Sequence, residues 1–281
     1  MYMRLTFMLP VAMFVLVFSA CRKQYPYPPP PSAAARKILL KDITIPGLPS
    51  PFYHFEYNPD STVSKVAFDD DLATYTVLYT NNKIAEMRNN AGGPDFLNHD
   101  TLRYVYDGTG KVRVIHFINR SGVIFRRVHF VYHGDRVTAI DWEQGVDDHF
   151  VTDRTLTFGY YADGNVKTIA THDADPQGST AGSNSTTLFE QYDDKFNVDD
   201  FSLVHSGIND HLFLLQGFRL QKNNPGKVTF TQDSHVNDNI VLNTYTYNND
   251  STPSLKKGAQ TFIGSALPGQ TFSISTHYTY Y

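Results

Sequence analysis

The side chains with the most obvious chemical potential in this sequence are four runs of adjacent aspartates, at residues 69–71, 147–148, 193–194 and 199–200. Two carboxylates that converge in a cleft can hydrolyse a glycosidic bond, and carboxylate oxygens also bind calcium. Aspartate is equally a turn-forming residue, because its short side chain hydrogen-bonds nearby backbone groups. Most of these runs lie beside expected turns. We therefore interpret them as solvated turns and predict no catalytic residue.

Established catalytic and phosphate-binding motifs do not occur in the chain. It contains no Gly-rich phosphate loop, no His-Glu-x-x-His and no Gly-x-Ser-x-Gly, and it has one cysteine. Residues 173–178 begin like a calcium-binding loop, but the twelfth position would be Asn184 instead of the bidentate glutamate that such loops use. The chain is therefore more consistent with a non-enzyme without a cofactor. A carboxylate pair assembled by the fold would still allow hydrolysis.

The histidines are the remaining candidates for metal binding. His129 and His133 lie four residues apart on one expected strand, a separation of about 13 Å at the rise of a β-strand. One metal ion cannot bind both, because its ligands must lie within about 2.1 Å. His116 or His149 on a neighbouring strand could complete a site, but exposed sheet histidines explain the pattern. We predict no metal site.

Aromatic residues are abundant, with 20 Phe and 18 Tyr but a single tryptophan, Trp142. Trp142 ends an expected strand and precedes the loop at residues 143–153, so it could form an exposed stacking platform for a sugar ring. The alternative is that the aromatics form the inner face of a sheet. We favour the core interpretation for the tyrosines and also for Trp142. Trp142 is nevertheless the one candidate ligand-binding residue.

Short strands joined by turns must position these side chains. Beyond about residue 40, a strand of alternating residues ends in an aromatic, a polar turn follows, and a second alternating strand begins. Leu102, Tyr104 and Tyr106 share one face of such a strand, because strand side chains point alternately to either side. The turns carry Asp-Gly pairs, which tolerate the positive φ of tight hairpins. The clearest copies are residues 102–117, 128–142 and 156–169, with weaker copies at 52–68, 75–87 and 188–204.

Tyrosines at the ends of the first strands mark the period of this repeat. They occur at positions 57, 79, 106, 132, 160 and 192, and then at 247 and 280. Residues 217–230 fill the long gap as a degenerate copy, whereas the Gly- and Pro-containing residues 256–270 are typical of a loop. A fixed period of this size indicates a repeat architecture. Because a single hairpin is marginally stable, the copies must pair side by side.

The N-terminus is typical of an export signal. Arg4 supplies a positive charge, residues 9–18 form an apolar run, and two small residues precede Cys21. The run is too short for a membrane-spanning helix, which needs roughly 20 residues. The prolines that follow favour the extended polyproline II conformation. We assign residues 1–20 to a signal peptide, 21–40 to a lipidated Cys21 and a Pro-rich tether, and 41–281 to one domain.

Several of these features resemble known families. Residues 18–21 resemble the bacterial lipobox, which implies acylation of Cys21, and the tether resembles those of Bacteroidota lipoproteins. Residues 106–112 resemble the YD-repeat of Rhs-type shell proteins. The whole chain is similar to an uncharacterised family of secreted Bacteroidota lipoproteins with a porin-like fold. That resemblance implies about sixteen strands in a barrel or twisted sheet, and it implies no catalytic residues. Arg22 and Lys23 stand where the usual surface-export signal has acidic residues.

Composition argues against three classes of protein. With 24 basic and 28 acidic side chains, the formal charge of −4 gives no reason to expect nucleic acid as a partner. The high aromatic content and modest charge are unlike a disordered chain. The single cysteine also excludes an intrachain disulfide framework.

The sequence thus predicts an all-β fold, an antiparallel meander of about eight β-hairpin repeats that forms a twisted sheet or a barrel-like structure. We expect an outer-membrane lipoprotein of the cell envelope, on the periplasmic or the surface side, with the membrane as partner through the lipid on Cys21. Its function would be non-catalytic, either binding a glycan or an envelope protein or structural. A secreted polysaccharide hydrolase and an integral outer-membrane β-barrel are the alternatives. The terminal residues 272–281 alternate and end in an aromatic, as strands of membrane barrels often do.

Overall fold

The computed structural model describes residues 38–90, 100–174, 182–204, 212 and 214–281. The signal peptide, Cys21 and most of the tether lie outside these residues. No helix in the described ranges is long and apolar enough to cross a membrane. The strands are β1 (Leu40–Thr44), β2 (Tyr53–Tyr57), β3 (Val63–Phe68), β4 (Ala73–Thr80), β5 (Lys83–Asn89), β6 (Thr101–Tyr106), β7 (Val112–Ile118), β8 (Ile124–His133), β9 (Arg136–Val146), β10 (His149–Tyr160), β11 (Val166–Asp173), β12 (Ser183–Tyr192), β13 (Pro225–Gln232), β14 (Asn239–Tyr247), β15 (Pro253–Phe262) and β16 (Thr271–Tyr280).

The sixteen strands form a closed barrel. Each strand pairs antiparallel with its neighbours in sequence, and β16 closes the barrel by pairing with β1, where Tyr278 lies opposite Ile43. Closure leaves no unpaired edge strand in this sheet. The predicted all-β meander is confirmed, and of the two shapes that the sequence allowed the barrel is the one observed.

Seven of the eight predicted tyrosines make the same type of hydrogen bond at one end of the barrel. The eighth, Tyr247, donates to Asp193 instead, and Tyr245 makes the bond in its place. The hydroxyl of Tyr132, at the end of β8, donates to the carbonyl of Val112, at the start of β7, over 2.9 Å. Burial raises the pKa of these tyrosines, that of Tyr106 to about 12, so they stay neutral donors. The other bonds of this set, here called the tyrosine belt, join Tyr57 to Leu40, Tyr79 to Val63, Tyr106 to Ile84, Tyr160 to Val137, Tyr192 to Val166, Tyr245 to Pro225 and Tyr280 to Pro253.

Asparagine and aspartate form the tight turns. The prediction that the aspartate runs are turns is confirmed for two of the four, at residues 69–71 and 147–148. Asn81 and Asn82 have φ of 52° and 60° between β4 and β5, and Asp147 and Asp148 have φ of 43° and 63° between β9 and β10. Two consecutive positive φ values give the turn twist that matches paired strands. The run at residues 69–71 is also a turn with positive φ.

The predicted hairpin copies at residues 188–204 and 217–230 are wrong. β12 ends at Tyr192 and β13 begins at Pro225, and only a short 3₁₀ helix, Asp200–Leu203, lies among the described residues between them. Scattered backbone bonds, such as that from the N–H of Asp193 to the carbonyl of Asn224, and side-chain hydrogen bonds take the place of a regular sheet ladder here. Asp193 accepts from the backbone N–H of Asn224, and Asn165 accepts from the N–H of Lys222.

The loop predicted at residues 256–270 is also wrong in its first half. β15 continues to Phe262, and only residues 263–270 form the connection to β16. Gly258 lies within the strand opposite Asn243 and Ile274. A Cβ atom at Gly258 would lie 3.0 Å from Cγ1 of Val241, so the glycine relieves crowding on the inner face and does not break the strand.

The chain between β12 and β13, residues 193–224, is here called the inner segment; among its described residues, Phe201, Leu212 and Leu220 are buried inside the barrel. Phe201 packs edge-on against Tyr53 of β2, and Phe218 contacts Phe130 of β8. The hydroxyl of Tyr278 in β16 also donates to this segment, at Asp199. Contacts with strands all around a closed barrel place the described parts of the segment in its interior. The hydrophobic core therefore lies between the inner face of the barrel and this segment.

The outer face of the barrel carries pairs of charged side chains on adjacent strands, together with scattered exposed apolar residues such as Val131 and Leu242. Lys65 pairs with Glu56 on adjacent strands, and Arg103 pairs with Glu86, at 3.2 and 3.0 Å. Further pairs of this kind join Arg127 to Glu143 and Lys227 to Glu190. Barrels that span a membrane have the opposite pattern, with an apolar band outside and polar residues inside.

Candidate ligand-binding cavity

A cavity of about 460 Å³ lies inside one half of the barrel. Inward side chains of β10 to β16 form its walls, and the inner segment forms its floor. Ligand pockets typically measure about 300–1,000 Å³. The lining alternates between apolar and hydrogen-bonding side chains, and three groups of them are described below.

The floor is held in place by buried hydrogen bonds. Tyr278 donates to Oδ2 of Asp199 over 2.6 Å, and Nζ of Lys256 lies 3.9 Å from the same oxygen. Burial, and then the charge of Asp199, raise the pKa of the Tyr278 hydroxyl, so it remains the donor. Gln221 donates to the hydroxyl of Tyr192 over 2.7 Å. The charges of Asp199 and Lys256 therefore offset each other at the bottom of the cavity.

One wall carries hydroxyl groups beside a guanidinium. We call Arg154, Thr171, Ser185 and Thr187 the hydroxyl wall; all four line the cavity. Thr171 of β11 lies directly opposite Ser185 of β12, and Thr187 is two residues further along the same face. Nε of Arg154 lies 3.2 Å from Oδ1 of Asp173, so its charge has a counter-ion. The polar groups of this wall extend over three adjacent strands.

The adjoining strands contribute a set of apolar side chains. We call Val228, Phe230, Val241 and Ile274 the apolar wall; all four line the cavity. Val228 lies opposite Val241, and the two walls meet where Phe230 pairs with Thr187. The ring of Phe230 is thus adjacent to the hydroxyl groups. The remaining lining residues mix the two kinds on both sides, with polar Asn243, Lys256 and Thr276 on β14 to β16 and apolar Leu156, Ile169 and Phe189 on β10 to β12.

Apolar side chains continue from this wall toward the barrel end that lies opposite the tyrosine belt. Phe272 and Ile274 of β16 remain 46% and 40% exposed, although they share the inner face of the strand with buried Tyr278. The ring of Phe272 lies edge-on to that of Phe262, with 5.8 Å between centroids. The cavity therefore opens through an apolar rim.

Trp142 is not exposed, and the expectation of an open stacking platform on this residue is wrong. Its relative exposure is 0%, because it lies on the inner face of β9 between Val128 of β8 and Arg154 of β10. The guanidinium of Arg154 lies 5.8 Å from the centroid of its ring. Trp142 thus packs in the core behind a residue of the hydroxyl wall.

The aspartate run at residues 199–200 is not a solvated turn. Asp199 lines the cavity floor, whereas its neighbour Asp200 accepts from the backbone N–H of Leu220 over 2.9 Å. Burial raises the pKa of Asp200 to about 6. The remaining run, at residues 193–194, divides similarly: Asp193 bonds Asn224, and Asp194 forms an exposed ion pair with Lys195.

The histidines and the calcium-like motif form no metal site within the described ranges. His129 contacts Glu143 on the outer face at 3.1 Å, and His116 lies opposite Arg103 and Arg127. Desolvation and the charge of Arg127 lower the pKa of His116. Asp173, the first residue of the calcium-like motif, pairs with Arg154, and residues 175–178 lie outside the described ranges.

No sequence pattern predicts the cavity, because its lining residues are small or ordinary strand residues. Thr171, Ser185 and Thr187 have no motif spacing, and they meet only through the pairing of β11 with β12. One feature of the sequence does distinguish the strands that line the cavity. Inward positions of the first strands carry mainly large apolar residues, whereas those of β11, β12 and β15 include Thr, Ser and Gly.

Known structures with a similar fold are porin-like proteins. No family model and no curated protein matches the chain. A porin-like protein from Bacteroides vulgatus ATCC 8482 aligns with a TM-score of 0.58 and 16% identity, over 86% of this chain and 99% of that one. Another, from Bacteroides uniformis ATCC 8492, aligns with a TM-score of 0.55 and 14% identity, over 82% and 89%. These similarities support the barrel fold and the porin-like resemblance at the level of fold.

A weaker similarity involves a toxin. A chain of the Photorhabdus luminescens Tc holotoxin pore aligns over 74% of this chain and 11% of that one, with a TM-score of 0.32 and 14% identity. A score of this size carries no argument about the fold. The resemblance of residues 106–112 to YD-repeats therefore stays a prediction.

Proposed function

We propose that this protein is a lipid-anchored, non-catalytic binding protein of the cell envelope, and that it holds a small ligand inside its barrel. The observation that carries the proposal is the cavity of about 460 Å³ between the inner segment and strands β10 to β16. The hydrogen bonds of its floor hold the site in shape before any ligand arrives. A pre-formed site binds with a smaller loss of conformational entropy than one that must order.

Anchoring would come from Cys21, at the end of the signal-like segment. Acyl chains each contribute about 0.8 kcal/mol per buried methylene, and two or more chains hold a protein stably on a membrane. The charged outer face supports a barrel that stands off the membrane and does not span it. The ion pair of Arg103 with Glu86 would lose its hydration in a lipid environment.

Polysaccharide hydrolysis, the alternative enzymatic function, has weaker support from the cavity. Glycosidases of the two common classes use a pair of carboxylates about 5–9.5 Å apart. Asp199 is the one carboxylate among the described lining residues, and it is already bonded to Tyr278. The adjacent Asp200 accepts from Leu220 and does not line this cavity. The arrangement thus favours binding over turnover.

A thermal-shift screen with cavity-filling variants tests the proposal. The full chain in mild detergent is screened against polysaccharide fragments, peptidoglycan fragments and divalent metals. A ligand at 100 times its Kd adds about 2.7 kcal/mol of stability and raises the melting temperature measurably. Thr187→Phe fills the cavity and should abolish the shift. Thr186→Phe, on the outer face of the same strand, is the matched control and should retain it. A ligand that still stabilises Thr187→Phe would contradict binding in the cavity.

A second measurement tests the anchor. Cells that express the protein are labelled with a fatty acid, and the membrane fraction is compared between the native chain and Cys21→Ser. We expect label and membrane association only with Cys21. Equal membrane association of the variant after a salt wash would favour a spanning barrel instead.

A further inference from the structure

We infer that the ligand of the cavity is a neutral saccharide unit, which lies with its apolar ring face on Phe230 and with its hydroxyl edge on Thr171, Ser185 and Thr187. This inference rests on the proposed function, because it names the class of ligand for the same site.

The distribution of polar groups is the first argument. A fatty acid or another single-chain amphiphile is polar at one end, and its pocket is accordingly polar at one end. Here the polar groups are spread around the cavity: the hydroxyl wall extends across β10, β11 and β12, and Asn243, Lys256 and Thr276 line it on β14, β15 and β16. Apolar side chains, Phe230 and the rest of the apolar wall among them, lie between these polar groups. The ligand that fits must therefore carry polar groups around its edge and apolar surface between them. A sugar ring has that form, with hydroxyl groups around its edge and C–H bonds on its face.

The hydrogen-bonding chemistry of the wall is the second argument. A side-chain hydroxyl donates one hydrogen bond and accepts others, and a sugar hydroxyl does the same. Thr171 and Ser185 lie directly opposite each other, so they can bond adjacent hydroxyls of one ring. Phe230, paired with Thr187, places an aromatic face beside those groups. Aromatic rings suit ligands with one apolar side and one wet edge.

The charges of the cavity are the third argument. Arg154 has a counter-ion in Asp173 at 3.2 Å, and Lys256 has one in Asp199 at 3.9 Å. An anionic ligand would have to compete with these carboxylates, and a cationic one with the two basic groups. A neutral ligand can hydrogen-bond to the pairs without displacing either partner.

Isothermal titration of the full chain with neutral mono- and disaccharides, with sodium dodecanoate as the amphiphile probe, tests the inference. Thr187→Val keeps the shape of the wall and removes one hydroxyl, so saccharide affinity should fall about three- to tenfold. Phe230→Leu should reduce affinity to a similar extent. Thr186→Val, on the outer face of the same strand, is the matched control and should bind like the native protein.

The outcomes separate this inference from the proposed function. Saccharide binding that weakens in Thr187→Val and Phe230→Leu, but not in Thr186→Val, supports both. Binding of dodecanoate without any saccharide overturns the saccharide inference and leaves the cavity as a ligand site. Saccharide binding that Thr187→Val, Thr187→Phe and Phe230→Leu all leave unchanged places the sugar elsewhere and overturns the inference. If no saccharide binds the native chain, the saccharide inference is overturned, whereas the thermal-shift screen with Thr187→Phe decides the proposed function separately.

Discussion

The two halves of this barrel share one backbone plan and differ in what fills them. In the half formed by β2 to β9, inward residues such as Tyr75, Phe117 and Trp142 are completely buried. In the half formed by β10 to β16, the inward positions include Thr187 and Gly258, and a cavity remains. The tyrosine belt lies at the same end of the barrel in both halves. In this repeat fold the hairpins therefore form the barrel, and the volume of the inward side chains determines which half keeps a cavity.

The largest expected effect is a loss of core packing in the filled half. Phe117→Ala should reduce the free energy of unfolding by about 3–5 kcal/mol, because Phe117 is fully buried and its removal leaves a cavity. Phe230→Ala should cost only about 1–2 kcal/mol, because its ring already borders an open space. Urea unfolding of both variants measures the difference. Equal losses would contradict the division into a filled and a hollow half.

Asp200, in the inner segment next to Asp199 on the cavity floor, makes the stability of the protein depend on pH. Burial raises the pKa of Asp200 to about 6 from an ordinary 3.8, with the nearby Asp199 acting in the same direction and Arg219 against it. The folded state thus binds this proton more tightly, so its stabilisation is complete below pH 3.8 and is lost as the pH rises through 6. The shift is equivalent to about 3 kcal/mol.

The variant Asp200→Asn removes this titration. Its unfolding free energy should exceed that of the native protein at pH 7 and match it near pH 4, if the amide oxygen still accepts from Leu220. Asp194→Asn, at an exposed site, is the control and should leave the native pH profile unchanged. Parallel pH profiles of Asp200→Asn and the native protein would contradict the buried position of Asp200.

Adding side-chain volume at an inward position should also have different effects on stability in the two halves. Val66→Phe adds volume to a completely filled site and should destabilise the fold by about 1–3 kcal/mol. Val228→Phe makes the same change on the cavity wall and should alter stability by less than about 0.5 kcal/mol. Chemical denaturation of the pair measures this. A larger loss in Val228→Phe would show that the cavity closes in solution.

The smallest expected effect concerns the feature that both halves share. Tyr132→Phe, in the filled half, and Tyr280→Phe, in the hollow half, each remove one bond of the tyrosine belt. Each should cost about 0.5–1.5 kcal/mol, because a buried carbonyl loses its donor. The two losses should be equal within error. A difference of more than about 1 kcal/mol would mean that the cavity weakens the belt in its own half.

Much of the frame was predictable from the sequence, because its causes are local. The alternation of Leu102, Tyr104 and Tyr106 defines a strand with one apolar face, and Asp147 with Asp148 defines a tight turn. The spacing of the tyrosines predicted the hairpins, since each copy makes its own bond between neighbouring strands. The prediction failed where partners are distant in sequence. Tyr278 bonds Asp199 across 79 residues, and no local pattern indicates such a contact.

The candidate site was the least predictable part. Trp142 was singled out by residue type, yet its strand turns it inward, where it is fully buried. The residues that do line the cavity, such as Thr171 and Ser185, are ordinary strand residues whose meeting depends on register. Gly258 was interpreted as a loop residue, although it lies in a strand, where its small size leaves room for the adjacent side chains of Val241 and Asn243.

The strands, the turns and the period of the repeat follow from the amino-acid sequence, because each depends on contacts within one hairpin or between adjacent ones. The closure of the sheet, the entry of residues such as Phe201 and Leu220 into the barrel, and the cavity in one half become visible in the folded molecule alone. Closure requires β1 to meet β16, and the cavity depends on the summed volume of side chains from seven strands and the inner segment. Such long-range sums are a property of the folded molecule and not of any one stretch of chain.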